Sequence, residues 1–357
     1  MRYVRFCFST IISSTFGFDL PAATPPAAPP ALQASSFVSR ANTAPRKVVI
    51  GTALAEFSGS TAMRLELAAR LMDDATHETA KRYPGQTLDL MIFPEFAICR
   101  GSGATAAEQA VPLAGPVLET LCAKAREHHT WIVMPMTLRE EGEHGQISNA
   151  AVLLDREGRV AGIFRKVHPI VDENGVFEDG VTPGHDYPVF PCDFGRLGIL
   201  ICWDMAYEAA WDALGAGGAE IVALPSASPQ TLQPSAQALR HHYYVATSTP
   251  RDNVSVFDPI GRTAAQATTP GVHVQQIDLA YAILHWSETL HEGRALTARF
   301  GDKVGFTYSE REDTGVFWSN DPQHSIGEMV RELGLREMPE TLARVQAACE
   351  RAQATKH

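Results

Sequence analysis

The chain has no Cys-x-x-Cys pair, and its six cysteines are scattered over 357 residues. That excludes a zinc ribbon or a thioredoxin-like redox site, and so sparse a set is no disulfide framework. No run of like charge stands out as an interaction tail. With a formal net charge of −11, the chain lacks the basic excess on which non-specific nucleic-acid binding relies. There is no internal repeat of fixed period. The apolar stretch in MRYVRFCFSTIISSTFGF is too short and too rich in Ser and Thr to span a membrane. The glycines of GAGGAE, around Gly215, precede a strand instead of following one. They therefore make no dinucleotide fingerprint and read as a helix stop with a tight turn. His128–His129 and His241–His242 are adjacent pairs without the i, i+4 face of a helical zinc site, so no metal and no organic cofactor is expected.

What is present points to a large core: 45% of the residues are hydrophobic. Residues 1–45 are set apart by the Pro/Ala-rich DLPAATPPAAPPALQASSF, which reads as an extended leader. It is either unstructured or an export signal with ALQA as its cleavage segment. A catalytic thiol would favour a reducing compartment, which makes the cytoplasm the first expectation and export the alternative.

Residues 46–280 mix strands and helices. KVVIGTALAEF is a strand rich in β-branched residues, and the helix after it places Met63, Leu67 and Leu71 on one face. LDLMIFPEF is an apolar strand stopped by Pro94. SNAAVLLDREGRVAGIFRKVHP gives two strands joined by a turn at 156–159, and VFPCDFGRLGILICWD a hairpin around Gly195. A helix is expected from near Ala206, and HVQQIDL reads as the last strand. The pattern implies an α/β or α+β domain with helices outside buried sheets. Residues 281–357 form a polar C-terminal extension with one clear helix, carrying Leu342, Val345 and Cys349. It is expected to pack on the domain or on a partner subunit.

Three polar residues stand where apolar strands end: Glu95 after LMIFP, Lys166 after VAGIFR, and Cys202 after LGILI. Each alone is ordinary, since a Cys there is usually core and a Lys usually snorkels to solvent. Together they form a working set. A thiolate attacks an electrophilic carbon well, but its proton must go elsewhere. A carboxylate can accept that proton and later give it to a leaving amine. A fixed ammonium can stabilise the oxyanion of the tetrahedral intermediate. The Trp203 N–H, at the strand-to-helix turn, offers a second oxyanion donor. Arg251, Asp252 and Asn253, after the strand YYVATSTP, could line the same crevice; Trp203 and Tyr207 could form an apolar substrate wall or pack the helix against the sheet, the second being favoured for Tyr207.

DLMIFPEFA, GIFRKVHP and GRLGILICWD…GAEIVALPSAS, in that order, resemble the three signature segments of the nitrilase superfamily, the carbon–nitrogen hydrolases. The resemblance covers about residues 47–280. It implies an α/β fold of the four-layer αββα sandwich type, usually assembled as a homodimer or higher homo-oligomer. It further implies hydrolysis of a small amide, carbamoyl or nitrile substrate through a thioester. By similarity, Glu95 is the general base and acid, Lys166 the oxyanion stabiliser and Cys202 the nucleophile. A second glutamate in the loop after the lysine falls on Glu178 or Glu173, and the EDGVTPG setting favours Glu178. After Asp204 the text MAYEAAW departs from the Arg-Phe-Pro-Glu of many family amidases, so the substrate is not specified. Acyl transfer to an amine on the same site, and a non-catalytic binding protein of the same fold, are the rival readings.

Overall fold

The computed structural model describes residues 39–99, 105–140 and 145–354. The leader up to residue 38, with its candidate cleavage segment, lies outside them. From Ser39 onward the chain is tied down. The Ser39 hydroxyl donates to Glu337 at 2.5 Å, Arg40 donates to the Ala219 carbonyl at 2.9 Å, and Ala41 is fully buried.

The first half of the chain runs β1 (Lys47–Leu54), α1 (Thr61–Arg82), β2 (Leu90–Ile92), a short α2 (Ala106–Gln109), β3 (Val111–Pro112) and α3 (Pro116–His128). It continues through β4 (Trp131–Arg139), β5 (Ile147–Leu154) and β6 (Val160–Arg165). The second half runs β7 (Val189–Pro191), β8 (Arg196–Ile199), α4 (Glu208–Ala216), β9 (Ile221–Pro225) and α5 (Leu232–His241). Next come β10 (Tyr244–Ser248), β11 (Val254–Phe257), β12 (Thr263–Ala267) and β13 (Gly271–Asp278). One sheet has the order β13-β1-β2-β4-β5-β6, with β3 beside β4; the other has the order β12-β11-β10-β9-β8-β7. In each sheet the central strands are parallel, β1-β2-β4 and β8-β9-β10, and antiparallel strands extend both edges.

Alternation along the strands builds the layers. On β1, Val49 and Ala53 pack with Leu71, Met72 and Leu121 of α1 and α3. Val48 and Ile50 point the other way, into a core shared with Leu197, Ile199 and Ile221 of the second sheet. The far face of that sheet is covered by α4 and α5: a Cβ on Gly198 would lie 2.9 Å from the Leu214 side chain. Helices outside buried sheets make the α/β arrangement that the pattern implied, and this packing is consistent with the layer order implied by the family resemblance. Helix α1 starts at Ser60, whose side chain accepts the Met63 N–H, and it buries Ala68, Leu71, Met72, Ala75 and Thr79. Met63 itself is exposed, so the buried stripe begins one turn later than the sequence spacing suggested.

The strand β13 is not the last. Three more follow: β14 (Tyr281–His285), then after α6 (Arg294–Phe300) the pair β15 (Val304–Ser309) and β16 (Thr314–Ser319). They form a small antiparallel sheet in the order β14-β16-β15. Tyr281, Ile283 and Val316 face the main core, while Ala282, Leu284 and Phe317 face Ile326 and Met329 of α7 (Ile326–Glu332). Only two residues separate β14 from β13, which blurs them into one strand in the sequence. The last described element is α8 (Met338–Ala354), which buries none of its residues and exposes Leu342 and Val345. Among the described residues no helix is long and apolar enough to cross a membrane.

Candidate active site

Four strand ends meet at one point. Glu95 comes three residues after β2, Lys166 directly after β6, Cys202 three residues after β8, and Ser226 directly after β9. Strand ends are rigid, so short polar extensions from them are held accurately.

Lys166 is the centre of the cluster and only 1% exposed. Its Nζ donates to Glu95 Oε1 at 2.9 Å and to Glu178 Oε1 at 2.7 Å. A buried ammonium needs such partners, because burial alone would drive off its proton. Burial does work against the charge here, but the Glu95 and Glu178 carboxylates raise the lysine above its ordinary range. Lys166 therefore stays a cation. Glu178, not Glu173, makes the second contact; Glu173 is exposed on the preceding loop.

Glu95 is held by three donors. Lys166 and the Asn149 Nδ2 amide, at 2.9 Å, share Oε1, and the Ala227 N–H reaches Oε2 at 3.0 Å. Asn149 also lies 3.5 Å from Glu178 Oε1, so it bridges the two carboxylates. It is a site residue that the sequence reading missed. It sits at the head of β5, and its carbonyl accepts the Lys166 N–H at 2.9 Å. The turn at 156–159 already sets 149 opposite 166, and that pairing was the signal available.

Cys202 opens a 3-10 turn, Cys202–Ala206, that precedes α4. Its φ of 46° lies in the left-handed region that non-glycine residues rarely adopt. Such strain costs on the order of 1–3 kcal/mol and persists only where neighbours over-determine it. The thiol is buried, with Glu95 and Ser226 both within reach as hydrogen-bond partners. Burial and the Glu95 charge push it up to about 11, against the pull of Lys166. With its thiol raised in this way, a nucleophilic role for Cys202 would require a base, and Glu95 is the carboxylate beside it.

The Trp203 N–H makes no hydrogen bond among the described residues, and the residue is 43% exposed. Tyr207 stacks on His168 with ring centroids 3.4 Å apart. Asn253 is buried between β10 and β11. Its amide donates to the Pro229 carbonyl at 3.0 Å and to Asp252 at 2.8 Å, and its oxygen accepts from Ser255 at 2.9 Å. Both of its N–H groups are thus engaged, one by the loop after β9 and one by its neighbour Asp252. A cavity of about 430 Å³ is lined by Glu95 together with Phe57, Arg64, Phe96 and Arg251. Neither Cys202 nor Lys166 lines it. Elsewhere, His128 approaches Asp73 and Glu127 at the surface, where Lys124 sits 2.7 Å from Asp73 and 3.1 Å from Glu127.

The family model for carbon-nitrogen hydrolases matches residues 51–284. Among curated proteins, the chain is 32% identical over 122 residues to a deaminated glutathione amidase of Yersinia enterocolitica, covering 32% of this chain and 42% of that protein. It is 36% identical over 126 residues to a beta-ureidopropionase of Arabidopsis thaliana, covering 34% of this chain and 30% of that protein. The matched part of the chain thus spans less than half the length of either relative. Among solved structures it is similar to Saccharomyces cerevisiae Nit3, a member of branch 10 of the nitrilase superfamily. That likeness has a TM-score of 0.54 at 20% identity, over 66% of this chain and 90% of Nit3, and is a likeness of fold. The family match takes in all three strand-end motifs, and the chain belongs to the carbon–nitrogen hydrolases of the nitrilase superfamily.

Proposed function

We propose that the protein hydrolyses a non-peptide C–N bond through a covalent thioester on Cys202. One observation carries the reading: a single buried lysine contacts two carboxylates and bears on the thiol of a cysteine held at positive φ. For an amide, Glu95 takes the thiol proton as the sulfur attacks the carbonyl carbon. The oxyanion of the tetrahedral adduct rests on the Lys166 ammonium and the Trp203 N–H. As the adduct collapses, the C–N bond breaks and Glu95 gives its proton to the departing ammonia or amine. Water then attacks the thioester carbonyl, with Glu95 again taking the proton. The second adduct releases the carboxylic acid and returns the thiol. Glu178 and Asn149 hold Lys166 and Glu95 in register and take no proton in this scheme. None of these steps calls for a metal or an organic cofactor.

The relatives carry the names of an amidase and a ureidopropionase, so small amides and carbamoyl compounds head the substrate panel, with nitriles third. The purified protein is incubated with the panel while ammonia and carboxylate are both measured. The reading expects release from at least one substrate, and its loss in Cys202→Ala. Full activity in that variant would end it. Added amines test the rival: an N-acyl product formed at the expense of the free acid would make the protein an acyltransferase. Sedimentation would test the homodimer or larger assembly implied by the family, for which the exposed face of α8 offers one apolar surface.

A further inference from the structure

Behind the nucleophile lies a carboxylate that touches none of the reacting groups. Asp204 is fully buried. Its Oδ1 accepts the His168 main-chain N–H at 2.8 Å and lies 3.2 Å from the His168 ring nitrogen Nδ1. Its Oδ2 accepts the Ile201 N–H at 3.2 Å. Ile201 immediately precedes Cys202, and His168 lies two residues beyond Lys166. The two oxygens of one side chain thus grip the two segments that carry the nucleophile and the cation.

The surroundings stiffen this grip. The His168 ring stacks on Tyr207 at 3.4 Å, and the Tyr187 hydroxyl lies 3.1 Å from the same Nδ1. The Tyr207 N–H returns to the Asp204 carbonyl at 3.2 Å, which closes the turn. Cys202 sits in this turn at a φ of 46°. A residue in that region reverts to an ordinary conformation unless its neighbours forbid it. The hydrogen bonds from Ile201 to Asp204 and from Tyr207 to Asp204 bracket it on both sides.

We propose that Asp204 is a positioning residue, a clamp that fixes the distance and direction between the Cys202 sulfur and the Lys166 ammonium. This rests on the Cys202 hydrolase reading. The effect expected of a clamp is on the chemical step. Misplacing a reacting atom by about 1 Å can cost about 100-fold in rate without weakening substrate binding in proportion.

The test uses the full-length protein and a substrate found in the amide panel. Asp204→Asn keeps the shape but has one acceptor oxygen, so its NH₂ must face either the His168 or the Ile201 N–H. We expect kcat to fall about 100-fold with KM within threefold of wild type. Asp204→Glu keeps the charge but not the reach, and the same loss is expected. If it kept wild-type kcat, charge alone would be the role and the clamp would be overturned. Asp258→Asn is the control for general weakening. Asp258 is another buried carboxylate that accepts two turn N–H groups, from Ile260 at 3.1 Å and Arg262 at 3.0 Å, and it lies outside the site. It should lose stability but keep kcat within threefold. Equal kcat losses in Asp258→Asn and Asp204→Asn would overturn the proposal. Should the Asp204 variants fail to fold, hydrogen exchange in the wild-type protein decides. The Ile201 and His168 amides should exchange only with global unfolding, and exchange of either by local opening would overturn the clamp. Amide exchange stands apart from the hydrolase reading, because an active Cys202→Ala would end that reading while leaving these amides protected.

Discussion

Replacing Lys166 by methionine removes one charge and little volume, and the structure says what should follow. The Nζ lies 2.9 Å from Glu95 and 2.7 Å from Glu178, with the lysine side chain 1% exposed. At an effective dielectric of about 20, each contact carries roughly 6 kcal/mol of Coulomb attraction before desolvation is counted. Most of that is offset by the cost of burying the charges, but the loss on removing one partner is not offset, because two carboxylates then face each other without a cation. Breaking a buried pair in this way costs about 3–5 kcal/mol. Urea denaturation of Lys166→Met should show a loss of that size with an unchanged m-value. The double variant Lys166→Met/Glu178→Gln should recover about 1–3 kcal/mol, since one of the facing carboxylates is gone. Neither variant should hydrolyse substrate at more than about 1% of the wild-type kcat, the usual scale for losing an oxyanion donor. A loss under about 1 kcal/mol in the single variant would refute the reasoning. So would a double variant less stable than the single one, because the lysine would then not be balancing two carboxylates.

Other outcomes follow from the same geometry. Asn149→Leu removes the donor shared by Glu95 and Glu178, but also a buried amide oxygen that has no partner among the described residues. Stability should therefore change by under about 1 kcal/mol while kcat falls about 10- to 100-fold; unchanged kcat would remove Asn149 from the site. Alkylation of Cys202 by iodoacetamide, followed by peptide mapping, should speed up with pH until about pH 11, where the buried thiol ionises. A plateau below pH 8 would mean a thiolate at rest and no need for Glu95 as base. Glu220 binds Arg46 through both oxygens, at 2.6 and 3.1 Å, with Arg40 nearby. Burial opposes its charge, but these arginines and the Arg196 N–H hold its carboxyl below the ordinary 4.5. A depressed carboxylate stabilises the fold at pH above its unfolded value and loses that contribution as pH falls through the folded one. Glu220→Gln should thus lower Tm at pH 7, and the gap to wild type should close below about pH 4.5; a gap independent of pH would contradict the pairing.

The catalytic candidates were legible because chemistry broke a pattern. Glu95, Lys166 and Cys202 are polar or reactive where an apolar strand has just ended, and a buried strand end is a poor place for a charge without a purpose. Asn149 carried no such mark. It lies inside the strand SNAAVLL, and only the pairing of β5 with β6 brings it beneath Lys166. Asn253 shows the opposite case: a polar residue after a strand that spends its donors on the loop after β9 and on its neighbour Asp252. Helices outside buried sheets followed from alternation and helix spacing, while the four layers were implied by the family resemblance alone. The third sheet did not, because YAILH runs on from HVQQID after two residues, and β15 and β16 carry glycine and aromatic residues in place of an aliphatic run.

The central claim is a covalent acyl group on one sulfur. Intact mass spectrometry of protein quenched in acid during turnover, with peptide mapping, measures it directly. The account predicts a mass increase equal to the substrate's acyl group, on Cys202 alone, lost on incubation in water and absent in Cys202→Ala. Turnover with no adduct at steady state and none under rapid quench, or an adduct on another residue, would contradict it.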